Sequence, residues 1–406
     1  MNSLEGIRVL DLTQFLSASY AAQILGDLGA EVIKIEKPVT GEVYRNYGPK
    51  FINGESTSFL SMNRNKKSIA LDLKTEEGLR IVKKLVKISD IFIENFKPGK
   101  LKKYDLDYDS VRLINSKLIY CSVSGYGATG PYANKGGFDL IAQGMSGIMA
   151  VTGEEEGLPV KVGYAITDIG SGMYAAIGIL AALHAREKTK EGQFVDTSLF
   201  ETGVAWGTMS ALNYFADGTI PKRMGSASPQ NAPYQAFETK DGAFTVGTGN
   251  ETLWQKFCYI FNLKHLLKNP KYNNNVLRLK NHKSLAREIQ AVVKNLKTKD
   301  CIERLDKAGI PCGPINTLDQ VIQDPQVIDR GLIQEMDHKK AGKVKTIAFP
   351  VKLSKNPTNI RLAPPLLGEH TVEILKDLGC KEEEIIRFQK EGVIEIRKDE
   401  EDMNLN

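Results

Sequence analysis

The fold class is first indicated by residues 7–36, IRVLDLTQFLSASYAAQILGDLGAEVIKIE. Residues 7–12 form a short apolar run typical of a buried strand, and residues 18–28 predict a helix. Residues 31–36 predict a second strand, which stops before Lys37–Pro38. A strand, a helix and a strand in this length of chain form a βαβ unit, whose strands are parallel and whose crossover is right-handed.

The same alternation continues through the first half of the chain. Strands are predicted at residues 68–74 and 90–96 on either side of a helix at 76–88, and a further strand at 118–127. The fold class is therefore α/β, with a large domain of Rossmann type.

Composition sets the predicted domain boundaries. Residues 207–233 are rich in Gly, Ser, Pro and Asn and are predicted to be a linker. The large domain then covers 1–206, and a smaller α+β domain covers 234–330, opening with a hairpin that turns at Asp241–Gly242. Residues 331–406 remain as a C-terminal segment.

Bulk composition narrows the class of protein. A chain of 406 residues exceeds one compact core, so two domains are expected. The net charge of +5 comes from lysines spread along the chain, which does not indicate nucleic-acid binding. Five cysteines without a CxxC pair and only five histidines predict neither a disulfide framework nor a zinc site.

Cellular location is predicted from what the sequence does not contain. The N-terminal residues lack a basic region followed by an apolar run, and no uncharged apolar run reaches 18 residues. With reduced cysteines, these features predict a cytoplasmic protein that does not span a membrane.

The segment GYGATG at residues 125–130 satisfies the GxGxxG pattern of dinucleotide-binding proteins. That site also needs a helix opening at the third glycine, whereas Pro131 and a polar run follow here. The loop after the first strand contains no glycine. Glu36 stands where a ribose-binding acid would lie, but alone it is a weak signal. A nicotinamide-dependent oxidoreductase is therefore disfavoured.

Basic residues gather after several predicted strands, where α/β folds bind ligands. They could contact a phosphate-bearing ligand, although each one could equally be a solvated surface lysine. Asn95 and the Pro98–Gly99 turn would present polar groups at the same edge. The basic positions are Lys37, NRNKK at 63–67, Lys74 and KPGKLKK at 97–103.

Asp168 opens a helix that is otherwise apolar and rich in glycine, with Gly170, Gly172 and Gly178 permitting close helix packing. One interpretation is an N-cap aspartate. The other is a nucleophile, held ionised by the helix N-terminus and approachable across glycine. The sequence contains no GxSxG and no GxxxxGK[ST] motif.

Ten segments between residue 4 and about 380 together resemble the class III CoA transferases of the CaiB/BaiF type, the family of formyl-CoA transferase and carnitine CoA-transferase. The segments are LEGIRVLDLT, LGDLGAEVIKIEKP, NRNKKSIALDLK, IENFKPG, SGYGATGPYA, GGFDLIAQGMSG, ITDIGSGMYAAIGILAAL, GQFVDTSLFE, GIPCGPINT and PPLLGEHT.

The resemblance implies an interlocked homodimer whose C-terminal segment returns to the large domain. It implies transfer of CoA from an acyl-CoA to a carboxylic acid through an aspartyl-CoA thioester on Asp168. Acyl-CoA is then a substrate, with no tightly bound cofactor and no metal. The CoA-contacting positions implied by the family are Lys37, Leu71, Asp72, Leu73, Lys74, Asn95, Phe96, Lys103 and the acidic Asp139.

Departures from the family pattern bear on the substrate. Lys37 and Lys103 stand where a family member has arginines, which keeps the charge and loses the bidentate fork. Leu16 replaces a glutamine of formyl-CoA transferase, and the tetraglycine loop has no counterpart, so oxalate is disfavoured. Arg223 in the loop up to Tyr234 favours succinate or another dicarboxylate.

Two further alternatives are weighed. An α-methylacyl-CoA racemase needs a proton-transferring pair, and those enzymes resemble this chain but carry a histidine where it has Phe138. A CoA-binding protein without catalysis would have lost the nucleophile, whereas Asp168 is present.

Overall fold

A computed structural model describes residues 2–397 of the chain. They divide into two compact units, each described by itself below. The larger unit contains residues up to 148, residues 162–209 and the chain from 328 onwards; the smaller contains 149–161 and 210–327.

The larger unit is built on a seven-stranded sheet of order β14-β5-β2-β1-β6-β7-β8, in which every pairing is parallel except that of β14 with β5. The strands of the described chain are β1 (Arg8–Asp11), β2 (Glu31–Glu36), β3 (Phe51–Ile52), β4 (Glu55–Ser56), β5 (Lys66–Leu71), β6 (Ile91–Glu94), β7 (Ile119–Ser124), β8 (Phe194–Ser198), β9 (Tyr234–Glu238), β10 (Ala243–Gly247), β11 (Cys312–Pro314), β12 (Ile333–His338), β13 (Gly342–Ile347) and β14 (Ile394–Glu395).

Helices connect these strands and cover the sheet. They are α1 (Ser17–Asp27), α2 (Thr57–Met62), α3 (Glu76–Ile88), α4 (Tyr108–Ile114), α5 (Asp139–Met145), α6 (Ile166–Thr189), α7 (Leu199–Trp206), α8 (Thr208–Asp217), α9 (Glu251–Ile260), α10 (Lys264–Leu267), α11 (Asn275–Lys280), α12 (His282–Val293), α13 (Thr298–Lys307), α14 (Leu318–Gln323), α15 (Pro325–Asp329), α16 (Thr371–Asp377) and α17 (Glu382–Lys390).

Both faces of the central sheet are buried. Successive strand side chains point to opposite faces, so Leu10 belongs to one apolar cluster and its neighbour Val9 to the other. Residues of α3, α16 and α17 complete the first cluster, and residues of α1 and α6 complete the second. The predicted α/β class and parallel order are confirmed.

The C-terminal segment ends on the central sheet. Ile394 and Glu395 of β14 pair with Leu71 and Ala70 of β5, which extends the sheet by one antiparallel edge strand. The sequence did not predict this strand, because two residues are too few for a periodic pattern.

Glycines let α6 pack closely against its neighbours, as predicted. A Cβ on Gly172 would lie 2.4 Å from the carbonyl oxygen of Ser17 in α1, and one on Gly170 would lie 2.2 Å from the Trp206 ring. By length and composition α6 is also apolar enough to cross a membrane, but half of that stretch is buried inside the protein, and core helices pass the same test.

The boundaries of the smaller unit differ from those predicted. It begins at residue 210 rather than 234 and includes residues 149–161, and α8 lies inside the predicted 207–233 linker. The loop residues after α8 attach to the 149–161 segment, since the Gly225 amide donates to the Gly153 carbonyl oxygen at 3.0 Å. Composition alone cannot detect such a return contact.

The smaller unit has its own core. An antiparallel sheet of order β11-β10-β9 packs with helices around Trp254, Phe257 and Phe244, all of which are buried. The predicted hairpin is confirmed, with β9 and β10 paired on either side of Asp241–Gly242.

Candidate active site

Two adjoining clefts open among the loops that follow the parallel strands of the larger unit. The first has a volume of about 540 Å³ and the second about 260 Å³. Gln14, Phe96 and Lys100 line both clefts. Ligands of α/β proteins bind at this edge of the sheet.

The structure distributes the predicted site residues between the two clefts. Asp168, Asp139 and Asn95 line the first, and Phe96 lines both. Lys103 lines neither cleft; its ammonium lies 4.7 Å from the centre of the Tyr104 ring, and Lys100 of the same basic run lies in the clefts instead. The remaining predicted positions line the second cleft: Lys37, Leu71, Asp72, Leu73 and Lys74.

Asp168 is the third residue of α6 and does not cap it. The capping role belongs to Asp139 of α5, whose Oδ1 accepts hydrogen bonds from the Thr167 amide at 2.9 Å and the Thr167 hydroxyl at 2.8 Å. Gln143 donates to the other oxygen of Asp139 at 2.7 Å. The Asp168 carboxylate is therefore left without a structural task at the helix end.

The electrostatic environment of Asp168 differs from that predicted. Burial, and then the neighbouring charge of Asp139, raise the pKa of Asp168 to about 7. Among residues 2–397 no donor is hydrogen-bonded to its carboxylate and its pKa is raised, so the prediction that the helix N-terminus holds it ionised is wrong. A carboxylate in such surroundings is poorly solvated, which favours reaction with an electrophile.

Aromatic rings surround the first cleft near Asp168. Phe15, Tyr44, Tyr47 and Phe138, which we call the aromatic wall, all line it. The pKa of Tyr44 is raised to about 12 by burial and then by the charge of Asp168, so its hydroxyl stays protonated. The first three of these residues were not predicted, because isolated aromatic residues in loops show no periodicity in the sequence.

The glycine-rich loop after β7 is not followed directly by a helix, as the sequence predicted. Gly130 is followed by turns, and the next helix, α5, begins only at Asp139. A Cβ on Gly125 would lie 2.9 Å from the Cα of Gly137. Glycine is therefore required at Gly125 so that two backbone segments can cross beside Asp139.

Part of the predicted phosphate-binding set is wrong. Lys66 of the 63–67 run is fully buried and its ammonium lies 2.9 Å from Asp11 Oδ2. Arg64 pairs with the buried Asp27 at 2.6 Å. The Glu36 carboxylate likewise accepts a bidentate pair of hydrogen bonds from the Arg45 guanidinium, both at 2.6 Å, and is not free to bind a ribose.

Arg223 also serves the fold. Its guanidinium donates to the backbone carbonyl oxygens of Glu154, Glu155 and Gly157 at 2.8–3.1 Å, so its donors hold the 149–161 segment of the smaller unit. This arrangement removes the basis for reading a dicarboxylate acceptor from Arg223.

The first cleft contains no histidine among its lining residues. Phe138, which is 67% exposed, occupies the place where a racemase would carry its histidine. Within residues 2–397 no three His, Cys, Asp or Glu side chains are grouped to hold a metal ion.

Comparisons with known proteins identify the family of this chain. Residues 4–371 match the model of CoA-transferase family III. The chain is 44% identical over 395 residues to succinyl-CoA:glutarate CoA-transferase of Mus musculus, covering 97% of this chain and 89% of the relative. It is 38% identical over 381 residues to succinate–glutarate CoA-transferase of Agrobacterium fabrum, covering 92% and 95%.

A solved structure matches the fold at similar length. A CaiB/BaiF family protein from Brucella suis is 39% identical, with a TM-score of 0.83 over 93% of this chain and 100% of its own. The fold and the family match show that the chain belongs to CoA-transferase family III. Within that class it is an acyl-CoA:carboxylate CoA-transferase.

Proposed function

We propose that this enzyme transfers CoA from succinyl-CoA to a dicarboxylic acid through a thioester formed on Asp168. The observation that supports Asp168 as the nucleophile is the environment of its carboxylate. This group lies in the first cleft, accepts no hydrogen bond from the described residues and has a raised pKa. The dicarboxylate follows from the succinyl-CoA and glutarate in the names of the mouse and Agrobacterium relatives.

The reaction proceeds in balanced steps. The Asp168 carboxylate attacks the thioester carbonyl of the donor, the C–S bond breaks, and CoA leaves as the thiolate, so that a mixed anhydride of Asp168 and the donor acid remains. That thiolate attacks the aspartyl carbonyl and releases the free donor acid, leaving the aspartyl-CoA thioester. The acceptor carboxylate repeats both steps in reverse order, so the thioester energy is conserved and no nucleotide triphosphate is consumed.

The second cleft is proposed to hold the nucleotide end of CoA. Lys37, Lys74 and Lys100 line it together with the apolar side chains of Leu71 and Phe96. Ammonium groups suit phosphates, and the apolar side chains suit the adenine ring. Because the clefts share Gln14, Phe96 and Lys100, the pantetheine arm can run from one to the other towards Asp168.

We also propose that the enzyme is an interlocked cytoplasmic homodimer that binds neither nucleic acid nor membranes. The larger unit leaves an apolar face on α6 and α7, comprising Met173, Tyr174, Ile177, Val204 and Trp206, each more than a third exposed. A second copy of the chain, as the family resemblance implies, would cover this face.

The test is intact-protein and peptide mass spectrometry after mixing the enzyme with succinyl-CoA and hydroxylamine. We expect a hydroxamate on the peptide that contains Asp168, and loss of nearly all transfer to glutarate in Asp168→Asn. The control is Asp109→Asn, a surface carboxylate of α4. Full transfer by Asp168→Asn, with the amide confirmed, would refute the assignment.

A further inference from the structure

Phe15 has a backbone conformation that its side chain does not favour. Its φ is +59°, in the left-handed region that suits glycine. A bulky residue persists there only when its surroundings hold it, and such residues cluster at functional sites. Phe15 lies in the loop between β1 and α1 and lines the cleft that contains Asp168.

The side chain of Asn95 holds the peptide that precedes Phe15. Its Oδ1 accepts a hydrogen bond from the Gln14 amide at 2.9 Å, and its Nδ2 donates to the Gln14 carbonyl oxygen at 2.6 Å. Both backbone groups of Gln14 are thereby fixed to the end of β6. Both polar atoms of the Asn95 side chain are therefore hydrogen-bonded within the protein.

The held conformation places the Phe15 ring against the other three rings of the aromatic wall. Its ring meets those of Tyr44 at 5.5 Å and of Tyr47 and Phe138 at 6.4 Å, each nearly perpendicular. Edge-to-face contacts of this kind fix a ring in place. The wall shares the first cleft with Asp168, where the carbonyl carbon of the acyl group must lie during attack.

We propose that Phe15 is a specificity-determining residue that limits the length of the acyl chain beside Asp168, and that Asn95 is the positioning residue that holds it. This inference rests on the proposed function. The methylene chain of the acyl group lies against the aromatic wall, and the Phe15 ring occupies the volume that a longer chain would need.

The experiment compares glutarate and adipate, dicarboxylic acids that differ by one methylene group, as acceptors of CoA from succinyl-CoA. In Phe15→Ala the ratio of kcat/KM for adipate to that for glutarate should rise at least about tenfold, since one methylene in a fitted pocket changes kcat/KM by about 10- to 200-fold. A ratio within about twofold of the wild-type value would overturn the inference.

Asn95→Ala separates positioning from direct contact with CoA. Release of the loop should raise the same ratio while the KM for succinyl-CoA stays close to its wild-type value. A uniform rise in the KM for succinyl-CoA with an unchanged ratio would assign Asn95 to CoA binding and contradict its positioning role. Asn95→Asp keeps one of the two hydrogen bonds and should give an intermediate ratio.

Two glycine variants control for strain. Phe15→Gly should match Phe15→Ala in its ratio but have a higher Tm, because only glycine relieves the positive φ. Val39 has a φ of +68° outside both clefts, so Val39→Gly should raise Tm and leave the ratio unchanged. A ratio that followed Tm in both variants would contradict a steric role for the ring.

A binding measurement distinguishes failure of this inference from failure of the proposed function. Calorimetry of glutaryl-CoA and adipoyl-CoA on Asp168→Asn, with and without Phe15→Ala, needs no transfer. The measured quantity is the ratio of the Kd for adipoyl-CoA to the Kd for glutaryl-CoA. A ratio that falls when Phe15→Ala is added supports the inference even if transfer follows another route. An equal ratio with and without Phe15→Ala refutes it.

Discussion

Asp168 illustrates how the surroundings of one carboxylate set its reactivity. Asp139 caps α6 by accepting hydrogen bonds from Thr167. The Asp168 carboxylate therefore accepts no hydrogen bond at the helix end, and burial and then the negative charge of Asp139 raise its pKa. The result is a pKa raised to about 7, the opposite direction from that which a helix N-terminus alone would give.

The rate of transfer should therefore depend on pH near neutrality. Only the ionised carboxylate is a nucleophile, and burial together with Asp139 raises the pKa of Asp168 to about 7. We expect kcat/KM to fall about tenfold for each pH unit below that value and to level off above it, measured with succinyl-CoA and glutarate from pH 5 to 9.

Asp139→Asn provides the matched variant. An asparagine can still accept the Thr167 hydrogen bonds but carries no charge, so the pKa of Asp168 should fall and the profile should move to lower pH. A wild-type profile that stays flat between pH 5 and 8 would contradict a raised pKa for the nucleophile.

At the level of elements, α6 carries the site because its glycines let it lie close to α1 and to the end of the sheet. Glycine in a helix interior usually destabilises it relative to alanine by about 1 kcal/mol. At Gly172 alanine is the less favourable residue, because its Cβ would lie 2.4 Å from a backbone oxygen of α1.

Gly172→Ala should destabilise the protein by about 2 kcal/mol, because the carbonyl of Ser17 cannot move aside without moving α1. Gly178→Ala in the same helix is the control. Its Cβ would lie 2.7 Å from a methyl group of Val195, which can rotate or shift, so the loss should be smaller. Urea unfolding of both variants measures the difference; equal losses would contradict a backbone limit at α1.

At the scale of the whole molecule, the apolar face of α6 and α7 is exposed to solvent in a single chain. Ile177 is 59% exposed although it lies in the middle of α6, a helix long and apolar enough to cross a membrane. A core helix with such a side chain in solvent is typical of a subunit whose partner completes its core.

We expect the protein to sediment with twice the mass of one chain, and Ile177→Asp to reduce that mass to one chain or to prevent folding. Leu113→Asp introduces the same charge at a residue that is 84% exposed on α4, away from this face, and should leave the mass unchanged. A wild-type protein that sediments as one chain would overturn the proposed dimer.

Several features were determined by the sequence itself. Alternating apolar periods predicted the parallel α/β sheet, because each period is a local property of the chain. The glycines of α6 predicted its close packing, and the polar run after GYGATG predicted that no helix opens at the third glycine of that loop. Asp168 was predicted because the residues around it form an extended pattern that resembles one enzyme family.

Tertiary packing determines which charged and aromatic residues meet in the clefts. Lys66 and Lys100 both belong to basic runs that were predicted to contact phosphate, yet one is buried against Asp11 and the other lines the site. Asn95 binds Gln14 across 81 positions of sequence, and Asp139 caps a helix that begins 27 residues later. Burial and pairing depend on which elements pack together, and no local pattern of residues encodes that.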